Sequence, residues 1–109
     1  MQSVAGAENR IFQALADTSR RAIFESLTHG EVAVKDLTAR FDISQPAVSQ
    51  HLATLNDAGL VKGRREGRCV YYRVEPRGMK PLIDWIARYH AFWTEHVDRL
   101  EKLLEKMDE

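Results

Sequence analysis

From Asp42 to Leu52 the chain reads DISQPAVSQHL, and the chemistry on offer is hydrogen bonding. Ser44, Gln45, Ser49, Gln50, His51 and, one turn on, Thr54 are small or medium polar groups, with Ala47 among them. The hydroxyl of Ser44 suits a helix N-cap, because it accepts from a free backbone N–H of the first turn. Pro46 then falls at the second helical position, where a missing N–H costs nothing. The proline therefore marks a helix start. This helix is expected to run to about Ala58, with Gly59 as its stop. Val48, Leu52 and Leu55 form its inward face at i, i+4, i+7. The opposite face carries Gln45, Ala47, Ser49, Gln50, His51 and Thr54. Such side chains suit the base edges of a DNA major groove, which is about 12 Å wide. Glutamine donates and accepts toward adenine, Ser49 and Thr54 bond bases or phosphates, and Ala47 rests on a thymine methyl. Ser44 leaves the helix N-terminus outward as a phosphate site.

The next stretch, LVKGRREGRCVYYRV, brings positive charge. Leu60 to Arg65 and Arg68 to Val74 are expected as two strands around Glu66-Gly67. Val70, Tyr72 and Val74 alternate with Cys69, Tyr71 and Arg73, so one face packs inward. Lys62, Arg64, Arg65, Arg68 and Arg73 stand against Glu66 alone, a net of +4 over residues 62–73. The arginines near the tip would reach a DNA backbone or an adjacent minor groove.

Other elements must hold these two. A first helix is expected from Glu8, with Ile11, Phe12, Leu15 and Ala16 at helical spacing. Residues 1–7 read as a loose arm. Asp17-Thr18-Ser19 breaks that helix, and Thr18 is the expected cap of a second one bearing Ala22, Ile23 and Leu27, ended by His29-Gly30. Val34, Leu37 and Phe41 make a short third helix, joined by Asp42-Ile43-Ser44 to the polar helix as a helix-turn-helix. After Pro76-Arg77-Gly78 one long helix is expected over residues 79–107. Leu82, Ile86, Tyr89, Trp93, Val97, Leu100, Leu104 and Met107 recur along it every three or four residues, widened by Trp85, Phe92 and Leu103. A small domain cannot bury so wide a stripe, and a second subunit would cover it.

Composition bounds the rest. At 109 residues the chain suits a single compact domain, 44% hydrophobic and 29% charged. The core is expected over residues 8–75, the wing over 60–75. The net charge is zero, which excludes a uniformly basic surface, while residues 94–109 carry a net of −3. One cysteine, Cys69, excludes an internal disulfide and fits a reducing cytosol. The opening MQSVAGAENR has neither a basic start nor a long apolar segment, so no signal peptide is expected. Nor does any run approach a membrane span. The expected location is the cytoplasm.

A helix-turn-helix followed by a basic hairpin is a winged helix. The fold class is therefore mainly α, an α+β winged helix with a two-stranded β wing and a long terminal dimerisation helix. The pieces LADTSRRAI, SQPAVSQHLATLNDAGLV and RREGRCVYYRV resemble the ArsR/SmtB family of winged-helix repressors. The resemblance spans nearly the whole chain. It implies a homodimer built on the first and last helices, with Ile11, Leu82, Ile86, Tyr89, Trp93, Val97, Leu100 and Leu104 in that contact, and a repressor bound to a pseudo-palindromic double-stranded DNA operator. It carries the major-groove role onto Ser44 to Thr54 and the wing role onto Lys62, Arg64, Arg65 and Arg68.

Many members of that family sense metals. Where the common site has a cysteine pair, this chain reads EVAVKDL, with Val32 and Val34 near those places and no thiolate for a soft metal. The second family site uses acids and histidines of the last helix. Asp84, His90, His96 and Glu101 lack its spacings, and two histidines six residues apart lie about 240° around a helix. No metal and no cofactor is expected, which resembles a metal-independent branch. Cys69 reads as a partly buried small residue, against a redox switch. Trp85, Tyr89, Phe92 and Trp93 read as packing, against a small-molecule pocket. Arg20 and Arg21 are weaker candidates for phosphate contact. A protein–protein docking module is the rival of the regulator. An enzyme is not expected, since no nucleophile–base pair, phosphate loop or metal triad is present.

Overall fold

The structure is a computed structural model that describes residues 4–108. Helix α1 spans Val4–Ala16, so the helix starts before the expected Glu8. Of the expected loose arm, residues 1–3 lie outside the described residues, and the rest is helix. Helix α2 spans Thr18–Ser26. Its cap is Asp17 rather than the expected Thr18: Asp17 keeps an extended backbone, and its Oδ1 accepts the Arg20 N–H at 2.9 Å. Thr18 is already inside the helix. A short 3-10 turn, Leu27–His29, and Gly30 follow; Gly30 has φ of 140°, which a residue with a Cβ rarely adopts.

Strand β1, Val32–Ala33, is an element the sequence reading did not contain. Two residues carry no periodicity, so only their pairing reveals them. The wing strands are β2, Val61–Glu66, and β3, Cys69–Val74, turning through Gly67 and Arg68. The expected two-stranded wing is thus a three-stranded antiparallel sheet of order β1-β3-β2. Val32 pairs with Tyr72 and Ala33 with Tyr71; Val61 pairs with Val74, Arg64 with Tyr71 and Glu66 with Cys69.

Helix α3 spans Val34–Phe41 and α4 spans Gln45–Asp57. Between them Asp42 takes the left-handed conformation, with φ of 49°, and turns the chain tightly. Ser44 caps α4 by accepting the Ala47 N–H at 3.2 Å. Gly59, at φ of 80°, ends α4. The core lies beneath it: Val48, Leu52 and Leu55 are fully buried against Ile11, Ile23, Leu37 and Leu60.

After β3 come a 3-10 turn, Pro76–Met79, then α5, Lys80–Arg88, and α6, His90–Asp108. The single long helix expected over residues 79–107 is therefore two. The break falls at Tyr89, whose φ of −112° and ψ of 15° leave the helical region. Neither proline nor glycine marks it. Instead α5 is held to α1 by the Phe12–Trp85 edge contact and by Arg88, which donates to Glu8 at 2.6 Å. Helix α6 meets α5 through the Trp85–Trp93 ring contact at 6.4 Å and is exposed along its length. The apolar spacing runs unbroken across the kink, which hid it in the sequence.

Two turns touch where the wing returns to the body. The Glu75 N–H donates to Leu60 O at 2.9 Å, and Gly78 lies so close to Gly59 that a Cβ on Gly78 would stand 1.6 Å from Gly59 O. Gly78→Ala must therefore push backbone apart. It is expected to destabilise the fold by about 2–4 kcal/mol, read as a lowered urea midpoint at unchanged slope.

Candidate nucleic-acid interface

A helix advances about 100° per residue, so the buried Val48, Leu52 and Leu55 define the other faces of α4. Gln45 and Ser49 lie toward the wing and are exposed, as is the cap Ser44. Gln50 is also exposed and points outward. Ala47, His51 and Thr54 lie on the third side, and all three are half-buried. The expected outward place of His51 is corrected: it leans toward the α1–α2 junction, near the Asp17 carboxylate, and its Nδ1 is buried with no hydrogen-bond partner among the described residues. Thr54 likewise turns aside. Its hydroxyl donates to Gln50 O at 3.2 Å, and it lines a hollow with Arg10, Gln13 and Arg20. The sequence groups all six as one outer face because each is polar or small, and polarity does not say which side the neighbouring helices occupy.

Between α4 and the wing lies a cleft of about 270 Å³. Gln45 and Ser49 line one wall and Arg68 and Cys69 the other. Lys35, at the start of α3, completes it. Lys35 is a basic residue that the sequence reading missed. Nothing local distinguishes it from a solvated helical lysine, and only the packing of α3 brings it to the cleft. Cys69 is a half-buried free thiol there.

The sheet register sorts the wing charges. Residues directly paired across strands share a face. Val70, Tyr72 and Val74 pack toward the core, so Arg65, paired with Val70, shares their side. Lys62 and Arg64, paired with Arg73 and Tyr71, lie on the opposite side. Arg64 does not extend from the tip. Its Nε and Nη2 donate to the two oxygens of Glu31 at 2.9 and 2.6 Å, and its guanidinium lies 4.8 Å from the Tyr71 ring centroid. The hydrogen bonds from Arg64 hold the Glu31 carboxyl below the usual glutamate range, and Glu31 in turn raises the Arg64 pKa.

Arg20 and Arg21 serve the scaffold. Arg20 Nε donates to Ala14 O at 2.7 Å and its Nη2 to Gln13 O at 3.1 Å; Arg21 Nη1 donates to Leu15 O at 2.7 Å. They satisfy the last carbonyls of α1 and place positive charge at its C-terminal end.

On the far side, Ile86, Tyr89, Trp93, Val97, Leu100 and Leu104 are each about half exposed. Leu82 is half-buried against the core, and Ile11 is 1% exposed inside it. Ile11 is thus corrected from a contact residue to a core residue, because α1 turns it toward Ile23 and Leu55. Trp85, Tyr89, Phe92 and Trp93 line an open apolar groove of about 270 Å³ at the α5–α6 break. Val32 lies in β1 and Val34 at the start of α3, while His96 stacks on Phe92 at 4.0 Å. Among the described residues no three His, Cys, Asp or Glu side chains are gathered as metal ligands. No helix among them is long and apolar enough to cross a membrane.

A helix-turn-helix with an exposed polar helix, flanked by a basic β hairpin, defines the winged-helix class of DNA-binding proteins. Residues 17–62 match the family model of the bacterial regulatory proteins of the arsR family. The chain is 41% identical over 97 residues to the HTH-type transcriptional regulator Rv2034 of Mycobacterium tuberculosis, covering 89% of this chain and 88% of that protein. It is 31% identical over 81 residues to the transcriptional repressor SdpR of Bacillus subtilis, covering 74% and 90%. A crystal structure of an ArsR family transcriptional regulator superposes with a TM-score of 0.75 at 31% identity, over 86% of this chain and 97% of that one. The chain belongs to the ArsR family, and is a winged-helix transcriptional regulator.

Two outcomes test the scaffold roles. Arg20→Ala is expected to destabilise the fold by about 1–2 kcal/mol in chemical denaturation, the scale of a lost charge-assisted bond at a partly exposed site. The Arg20 N–H holds the Asp17 carboxyl below its ordinary value. Its stabilising contribution is therefore present above the unfolded value of about 3.9 and lost as pH falls below it, through the lower folded value. Asp17→Asn retains a capping oxygen and is expected to flatten that acid limb in pH-dependent melts.

Proposed function

We propose that this regulator is a homodimeric repressor that binds a pseudo-palindromic operator in double-stranded DNA, in the cytoplasm, with no enzymatic activity. The observation that carries the reading is the exposed edge of α4 at Gln45 and Ser49, facing Arg68 and Lys35 across one cleft. Polar side chains for base edges and cations for phosphates then act on the same stretch of duplex. Ser44, Gln45, Ser49 and Gln50 enter the major groove in this reading, and Ala47 lies at its margin. His51 and Thr54 lie on the flank turned from the wing, and Lys62, Arg65 and Arg68 contact the backbone.

The surface of α5 and α6 supports the dimer. Ile86, Tyr89, Phe92, Trp93, Val97, Leu100 and Leu104 are each about half exposed, an apolar stripe of the kind that marks an interaction surface. Two-fold pairing over this stripe would present two copies of α4, and half-sites about one helical turn apart or a multiple of it. The first and last helices would lie at the contact, with α1 contributing Phe12 rather than Ile11. The chain works as one winged-helix unit, its core and wing over 8–75 and the paired helices after it. No metal ligand set is assigned to it.

Footprinting on the region upstream of its own gene tests the function, with and without zinc and chelator. The expected result is a protected inverted repeat, weakened steeply by salt and indifferent to zinc. Protection abolished by zinc would overturn the metal-independent reading, and no salt-sensitive binding would overturn the repressor. On that site Gln50→Ala is expected to weaken binding about tenfold with altered base preference, whereas Lys35→Ala weakens it evenly and lowers the salt slope by about one. Trp93→Glu with Val97→Glu is expected to sediment as a 12.5 kDa monomer, against twice that mass for the parent.

A further inference from the structure

Arg64 is half exposed, on the wing, and charged, yet its guanidinium is already occupied. Arg64 pairs with Tyr71 on β3, and Tyr71 pairs with Ala33 on β1. The side chain crosses the sheet over the Tyr71 ring and ends on Glu31, in the loop before β1. Both Glu31 oxygens accept from it, and Glu66 lies 3.6 Å away on the other side. This geometry directs the charge from the wing back toward the body. The cleft lined by Gln45, Ser49 and Arg68 does not include it.

A carboxylate offers the guanidinium fork the same two-oxygen acceptor that a phosphate does. We propose that Glu31 limits affinity for DNA of any sequence: it occupies Arg64 as an internal substitute for DNA phosphate. Sequence-independent binding comes almost wholly from phosphate neutralisation, whereas discrimination comes from base edges. Withholding one cation trims binding to every sequence alike. It leaves the reading by α4 intact, so it lowers affinity for operator and bulk DNA by the same factor. This inference rests on the DNA-binding reading above.

The test is the salt dependence of binding to a random-sequence duplex, followed by fluorescence anisotropy. The parent is compared with Glu31→Gln, Arg64→Gln and the double variant. Releasing Arg64 onto a phosphate should steepen the log–log slope by about 0.9, so that affinity falls roughly threefold more than the parent's between 50 and 200 mM salt. Arg64→Gln should keep the parent slope, and the double variant should lose the gain. Arg64→Lys keeps the charge but cannot form the fork. It should move the same way as Glu31→Gln, and serves where Glu31→Gln folds poorly. A flatter slope for Arg64→Gln would overturn the proposal, because Arg64 would already touch DNA. So would a gain that survives in the double variant, which would assign it to the lost Glu31 charge alone. A parent without salt-sensitive binding sinks both readings. A parent that binds, with Glu31→Gln and Arg64→Lys unchanged, sinks this one only.

Discussion

One helix has to be core and surface at once. Val48, Leu52 and Leu55 of α4 are wholly removed from solvent, packed on Ile23, Leu37 and Leu60. Burying a side chain of that size is worth roughly 1.5–3 kcal/mol relative to leaving it exposed. That anchoring holds α4 rigid while Gln45, Ser49 and Gln50 stay in water. Everything around it serves the same constraint. Asp42 turns the chain so that α3 covers one flank, α2 covers the other, and Gly59 releases the chain into the wing. A polar reading surface is only as exact in position as the apolar surface behind it.

Electrostatics is organised locally on a chain of zero net charge. Cations used for the scaffold and cations left for a ligand are separated by geometry. Arg20 and Arg21 spend their donors on the α1 carbonyls, Arg88 pairs with the buried Glu8, and Arg64 lies on Glu31. Lys35 and Arg68 line the cleft beside α4. A count of basic residues in the wing therefore overstates the charge available to DNA. The register of β2 against β3 does the sorting, because a period of two puts Arg64 and Arg65 on opposite sides.

The C-terminal helices carry a different load. The Glu8–Arg88 pair and the Phe12–Trp85 contact hold α5 against α1, while α6 departs at Tyr89 with an apolar stripe facing water. A side chain such as Trp93, about half exposed on one chain, has area left for another surface. The kink changes the direction in which that area is offered, without changing which residues offer it.

The sequence by itself determined which residues are apolar, where α4 starts and stops, and which stretch is polar enough to read a polyanion. The Ser44 cap, the Gly59 stop and the inward row of α4 were all legible, because local capping chemistry and a 3.6-residue period govern them. A resemblance in three short motifs completed the family assignment. Only the tertiary structure decided the rest. It turned His51 and Thr54 aside, because neighbouring helices occupy that flank. It took Ile11 into the core, moved the cap from Thr18 to Asp17, and added β1, whose two residues have meaning only as partners of β3. It divided the long helix at Tyr89, since the hold on α5 comes from Glu8, eighty residues away. It also joined Arg64 to Glu31 across a sheet. Residues distant in sequence share no local pattern, and contacts of that kind become readable only once the chain has folded.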